Sequence, residues 1–466
     1  MAAFADPSHL LKAMRNAAHN NILLIAAKYV QMFGLVSREV KWEHIVRVYE
    51  FDDKHKLKIA PHLKRRYVYF GHFGKMRVAP AKAVLSKATG QAIRFLVQHY
   101  PQEFGKECLS TAVFAELVGG WHDIVNNHHR YMAFHKGKDE KNAESLAKMD
   151  FFEDFYVSMK LHKKQDVDTL KPSQMGVALT NSSTKWVKDK VLSTEGADFN
   201  LTGKNSNDPI EGFHGDERSI QSNPTAKQFK DNAKIISVSH YMGHAKGTNC
   251  ESDDSIEFMS SLRELKQIHK EEEEEAKCEL NIDMAFLETN EITDFAEITS
   301  LAFLGGYMLK HVILGKTRRK GNMNIKKNFK VCQLCATAFI ADPETDDQVE
   351  NTLIRMKEFK KGALCRPTRL GNKAFLFAEE RIRSANLEYS KQTGLCDLLT
   401  TKIVNGIKEN YPDAPTCHLV PIFRRFTNAR LNFDGDYIES HLTVKNKKEI
   451  KGKANASKTS KGVTLE

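Results

Sequence analysis

No run of 18 apolar residues occurs in this chain of 466, the nearest being interrupted stretches such as Asn21 to Val36, so no transmembrane helix is expected. Cysteine is scarce. The eight Cys are irregularly spaced and no basic segment followed by an apolar run opens the chain, which argues against a disulfide framework and against secretion. Also lacking is any GxxxxGK followed by Ser or Thr, so a phosphate-cradling P-loop is not claimed. What is present is 41% hydrophobic and 28% charged residues at a mean hydropathy of −0.47. That is the composition of a soluble globular protein, with about three structural units at ~150 residues each.

The net charge is +11, and the last residues, Val444 to Glu466, hold seven Lys against two Glu. The body is therefore only mildly basic, which permits nucleic-acid contact through counterion release without demanding it.

Periodicity reads mainly as helix. Asp6-Pro7-Ser8 is a cap with Pro at the first helical position, followed by Leu10, Leu11, Met14, Ala18 and Ile22 on one face. A second helix is expected from Pro80 through Val84, Leu85, Ala88, Ala92 and Phe95 to the breaker Pro101, and a third from Ser110 to Val125. Between Lys171 and Asp208 the pattern suggests short turns and extended pieces around one helix at Ser182 to Leu192. Asn223-Pro224 should cap a helix carrying Ala226, Phe229, Ala233 and Ile236. From His244 the chain loses apolar periodicity and reaches the Glu271 to Glu275 run, which reads as a solvated linker over 246–291. Apolar density returns over 292–440, and the basic tail 441–466 is expected to be disordered.

Several constellations could carry chemistry. Asp208 and Glu211, three apart at a helix start, would lie on one face about 5 to 6 Å apart at Cβ, near the positive end of the dipole. That arrangement suits a divalent metal, and it equally suits a capping box. Lys75, Arg77 and Lys82 cluster near Pro80, where they could meet phosphates at a helix start or form a solvated basic face. Cys332-Gln-Leu-Cys335 has the spacing of half a zinc knuckle, but no second pair follows and Cys365, Cys396 and Cys417-His418 are scattered, so ordinary thiols are expected. His122 with His129, and His128 with His135, are two helical turns apart and are expected as surface groups. Trp121, Phe114 and Leu117 form a core stripe. Pro421 to Arg430 interleaves aromatic side chains with Arg424, Arg425 and Arg430, as a DNA-contacting segment or as an amphipathic helix with snorkelling Arg.

Leu201-Thr-Gly-Lys-Asn-Ser-Asn-Asp-Pro-Ile-Glu-Gly-Phe-His-Gly215, followed by Asn223-Pro-Thr-Ala-Lys-Gln-Phe229, resembles the motif of P element and THAP-type transposases: LT, a spacer, D-x-x-E-x-F-x-G, then NPT-x-x-QF. Asp6-Pro-Ser-His-Leu-Leu-Lys-Ala-Met-Arg-Asn16 is similar to the family's DPPHLLK-x-x-RNN. Trp42 to Ile45, Leu57 to Leu63, Phe73 to Val78 and Val84 to Ser86 resemble its GTP-binding insertion in order. The resemblance covers residues 6 to about 245 and, more loosely, Leu304 to Tyr437. Gly212 and His214 replace bulkier residues, and the glycine pair before NPT is gone.

This resemblance implies a mainly α chain with a small α/β part. A partial RNase H-like fold would occupy 1–30 and 201–245, interrupted by a helical GTP-binding insertion over 31–200 and followed by a helical C-terminal region. It implies DNA and a guanine nucleotide as partners, GTP with Mg²⁺ as cofactor, a nuclear location, no membrane association and, as an open possibility, a homo-oligomer. Asp6 and Glu211 would be two of the three carboxylates of a two-metal strand-transfer site, and Asp208 would contact the metal on GTP. The family's first Asp and its THAP finger have no counterpart in this sequence, so the expectation is a transposase-derived protein without catalytic activity. The alternatives are an active DDE transposase whose first strands lie outside this sequence, and a non-catalytic helical interaction protein.

Overall fold

The computed structural model describes residues 4–161, 171–206, 208–245, 292–315, 331–358, 362–385 and 394–434. It divides into two compact units, residues 1–214 and 215–466. The linker over 246–291 and the tail lie outside the described residues.

In the first unit α1 (Pro7–Asn20) begins as its sequence dictates: the Asp6 carboxylate accepts the His9 backbone N–H at 2.9 Å, and Leu10, Leu11, Met14 and Ala18 are buried. There follow α2 (Ala27–Met32), α3 (Trp42–Asp53), α4 (Arg65–Val68), α5 (Val78–Val84), α6 (Lys87–His99), α7 (Leu109–Val125), α8 (Asp139–Val157), α9 (Pro172–Ser193) and α10 (Asp208–Ile220). Five two-residue strands fasten the connections. Leu23–Leu24 pairs antiparallel with Glu39–Val40 and Lys160–Leu161, and Phe134–His135 pairs antiparallel with Phe199–Asn200. The core gathers on α7, where Phe114 and Trp121 are buried, the Trp121 ring stacked at 5.1 Å on Phe152 and its Nε1 donating to Asn181 Oδ1 at 2.8 Å.

Three local expectations change. The helix expected across Pro80 to Pro101 is two helices, broken at Leu85 and restarted by Ser86, whose hydroxyl caps α6 by accepting from the Thr89 N–H. The helix expected at Ser182 to Leu192 forms, but it begins earlier: the 172–181 stretch expected as turns is the first half of the 22-residue α9. Pro172 and Gln174 start it, and Gly176, which looked like a turn residue, is where α1 crosses: a Cβ there would stand 2.5 Å from Leu10 Cδ2. The helix after Asn223-Pro224 is capped instead by Thr225, whose N–H and hydroxyl meet the Gln228 side chain at 2.9 Å each.

The second unit holds α11 (Ala226–Ala245), α12 (Phe295–Val312), α13 (Gln333–Phe339), α14 (Thr352–Lys357), α15 (Arg369–Ala385), α16 (Leu395–Asn410) and α17 over 419–434. Helix α15 packs against α12, α13 and α16, and Phe375 meets Phe423 and Phe426 at 5.3 and 5.2 Å. The chain is mainly helical as expected. The segments 1–30 and 201–245 are mostly helix, and no RNase H-like sheet forms among the described residues.

Candidate functional site

Two segments far apart in sequence, the one carrying Asp6 and the Leu201 to Ser206 lead-in to α10, reach one place: the C-terminal end of α7. Thr202 is buried there, its hydroxyl donating to the Ile124 carbonyl and accepting the Asn127 N–H at 3.0 Å. The Gly203 N–H donates to the Asn127 carbonyl at 2.9 Å, and a Cβ on Gly203 would strike the His128 ring at 2.6 Å. The strand Phe199–Asn200 enters this dock and α10 leaves it, so the Leu201 to Ser206 segment fixes where Asp208 and Glu211 begin their helix. The side chains of Asp208 and Glu211 lie outside the description.

Asp6 reaches the same end of α7 from α1. Its carboxylate is 8% exposed and also receives His9 Nδ1 at 2.6 Å. His122, expected at the surface, is 2% exposed. Burial, with Lys82 adding to it, pushes its pKa down to about 4, while Asp6 and its negative charge pull the other way. Burial raises the Asp123 carboxyl, opposed by Lys87 and Lys82. Four buried amide atoms around this dock lack a hydrogen-bond partner: Asn126 Oδ1, Asn127 Nδ2, Asn200 Oδ1 and Asn205 Nδ2. Two of them accept and two donate, so with Lys82 and Lys87 nearby the dock suits ordered water or a polar ligand that offers both donors and acceptors.

The basic trio lies on the 75–77 segment and on α5. Fully buried Arg15 donates to the Lys75 carbonyl at 2.7 Å and the Arg77 carbonyl at 3.5 Å, with Asn16 Oδ1 accepting from its Nε and Nη2 and the Phe70 ring 4.4 Å from its guanidinium carbon. Arg15 thus holds the segment that presents the half-buried Lys75 and the exposed Arg77. Lys82, also exposed, acts at the α7 end of α5. Helix α5 spans only seven residues, Val78–Val84. A cleft of about 480 Å³ lined by His135, Lys136, Asp139 and Lys188, among others, includes none of the three.

In the second unit Arg430 is buried, not offered to solvent. Its Nε and Nη2 grip Glu379 at 2.8 and 2.9 Å, and Arg383 joins the same carboxylate at 3.2 Å while holding Glu297 through both Nη atoms. Burial alone would raise the Glu379 pKa; Arg430 and Arg383 overcome it and hold it low. Arg430 is 2% exposed and turned inward onto Glu379, which corrects its expected DNA contact. Arg424 and Arg425 are on the exposed face of α17, opposite buried Ile422, Phe423 and Phe426, and Arg424 pairs with Asp397 at 2.9 Å.

Cys332 and Cys335 do not stand as an isolated half-knuckle. Cys417 Sγ lies 3.6 Å from Cys332 Sγ and 3.1 Å from Cys335 Sγ, and His418 Nδ1 lies 3.4 Å from Cys335 Sγ and 3.3 Å from Cys417 Sγ. The Cys335 N–H holds the Cys332 thiol below its usual pKa, whereas burial pushes the Cys335 thiol up to about 12. Sequence reasoning dismissed Cys417-His418 because 82 positions separate Cys417 from Cys335; only the fold of α13 against the start of α17 joins them.

Residues 8–138 match the family model of the TNP-like, GTP-binding insertion domain. No curated protein matches the chain. A solved structure, the Drosophila P element transposase strand transfer complex, is similar at 21% identity and a TM-score of 0.41, over 53% of this chain. The chain spans about half of that structure's chain, 52%, and a likeness at this level carries no argument. No helix among the described residues is long and apolar enough to cross a membrane.

Proposed function

We propose that this chain, P element transposase-like on its match over residues 8–138, binds a guanine nucleotide with its first unit and DNA with basic surface that includes Arg424 and Arg425. The observation that carries the reading is the insertion-domain match. Lys75, Arg77 and Lys82 would face the phosphates, and Asp208 the Mg²⁺ that accompanies GTP. The unpaired amides at the end of α7 and the lysines beside them support this assignment, since they suit a polar ligand that offers both donors and acceptors. A bound metal would neutralise phosphate charge; the chain's own part is to orient and desolvate.

Asp6 and Glu211 are the proposed acidic positions of a strand-transfer site, two of the three carboxylates that an in-line two-metal displacement uses. The proposal therefore expects DNA binding without cleavage by this polypeptide alone, in the nucleus. A second reading, an active transposase when a third carboxylate is supplied, is favoured by the approach of Asp6 and of the segment leading into α10 to one helix end. Mg²⁺-dependent cleavage of terminal-repeat DNA, lost in Glu211→Ala, would decide for it.

The nucleotide claim is tested by polarisation of a fluorescent guanine nucleotide with the full chain in Mg²⁺. Displacement by GTP and not by ATP is expected; no binding at millimolar nucleotide would remove the claim. For DNA, the slope of log affinity against log salt should be steep, and shallower by about 2 in the Arg424→Ala, Arg425→Ala double variant.

A further inference from the structure

We propose that Cys332, Cys335, Cys417 and His418 bind one zinc ion in a closed tetrahedral site that ties α13 to the start of α17. Three sulfurs and one imidazole nitrogen are a full ligand set for structural zinc. Their four ligand atoms all lie within 4.8 Å of one another. With Zn–S near 2.3 Å and Zn–N near 2.0 Å, tetrahedral edges come to about 3.8 Å between sulfurs and about 3.6 Å from sulfur to nitrogen. The observed edges of 3.6, 3.1, 3.4 and 3.3 Å need only a small outward shift to accept the ion.

Two features of the chain hold this set in place. Cys332 immediately precedes α13 and Cys335 lies in its first turn, so one helix start brings both sulfurs against Cys417 Sγ. Cys417 and His418 immediately precede α17, whose buried Leu419, Ile422 and Phe423 fix the approach. Burial grades from Cys335, fully buried, through half-buried Cys332 and His418 to exposed Cys417, so the ion has a way in and chelators have a way out. The cross-link closes a long loop and pins the base of the helix that carries Arg424 and Arg425. All three thiols must be reduced, and binding releases the protons that they and His418 carry.

The test is metal content of the full chain, purified under reducing conditions, together with cobalt substitution. One zinc per chain is expected, released by a thiol-modifying mercurial and replaced by Co²⁺ with the visible bands of a tetrahedral thiolate site. Cys335→Ser and His418→Ala should each lose most of the metal, whereas Cys396→Ser should retain it. Since the cobalt spectrum is read on the unaltered chain, it stands even if a variant fails to fold. Wild-type protein that takes up neither zinc nor cobalt overturns the proposal. So does a Cys335–Cys417 disulfide in protein kept from air, or zinc content unchanged in both ligand variants.

Discussion

Arg15 shows how a single side chain can serve a site it does not touch. Its guanidinium is buried without a carboxylate and held by two backbone carbonyls, Asn16 and the Phe70 face, so desolvation lowers its pKa while the geometry keeps it donating. Arg15→Met would leave the Lys75 carbonyl short of its donor and cost about 2 kcal/mol, read as a lower urea midpoint; Arg15→Lys, lacking the planar fork, should not restore it. An unchanged midpoint in both variants would contradict this role. His122 gives a pH signature. Between pH about 4 and its ordinary 6.5 it is neutral when folded but protonated when unfolded. Its contribution is therefore intact above pH 6.5 and is lost as pH falls to about 4, on the order of 3 kcal/mol, with Lys82, Asp6 and His128 as the charges facing it. Replacing it with Phe should flatten that part of the stability curve measured by denaturant titration, and a curve as steep as wild type would refute the assignment.

Among elements, α17 and α15 are joined by charge as well as by aromatic packing. Glu379 is shared by Arg430 and Arg383, all three buried. Glu379→Ala would take from buried Arg430 its closer carboxylate, leaving Asp434, and from Arg383 one of its two, and destabilise the second unit by about 3 kcal/mol, seen as loss of its cooperative melting at a temperature where wild type is folded. A melt like wild type would show the pair to be dispensable. The same elements mark what could be read beforehand. The Asp6 cap and the start of α7 were legible because cap chemistry and 3.6-residue periodicity are local properties. The first half of α9 was not, because Gly176 serves a crossing by Leu10, which nothing local announces. Arg430 read as basic surface for the same reason: its partner Glu379 lies 51 positions away.

At the scale of the molecule, motif resemblance supplied the expectation of a transposase-like family and of a nucleotide, while the placement of the 122–128 and 201–206 segments came only from the fold. The NPT-x-x-QF motif resolves into a capping box at Thr225 and Gln228, and the Arg15-Asn16 pair into a clamp on the 75–77 segment. Asp6 and the Leu201 to Ser206 segment come together because α7 ends where both dock. Hydrogen exchange of the full chain with and without GTP and Mg²⁺ examines that site most directly. Slowed exchange should appear together in residues 122–128 and 201–206, and not with ATP. Protection confined to other segments, or none with saturating GTP, would contradict a nucleotide site at the end of α7.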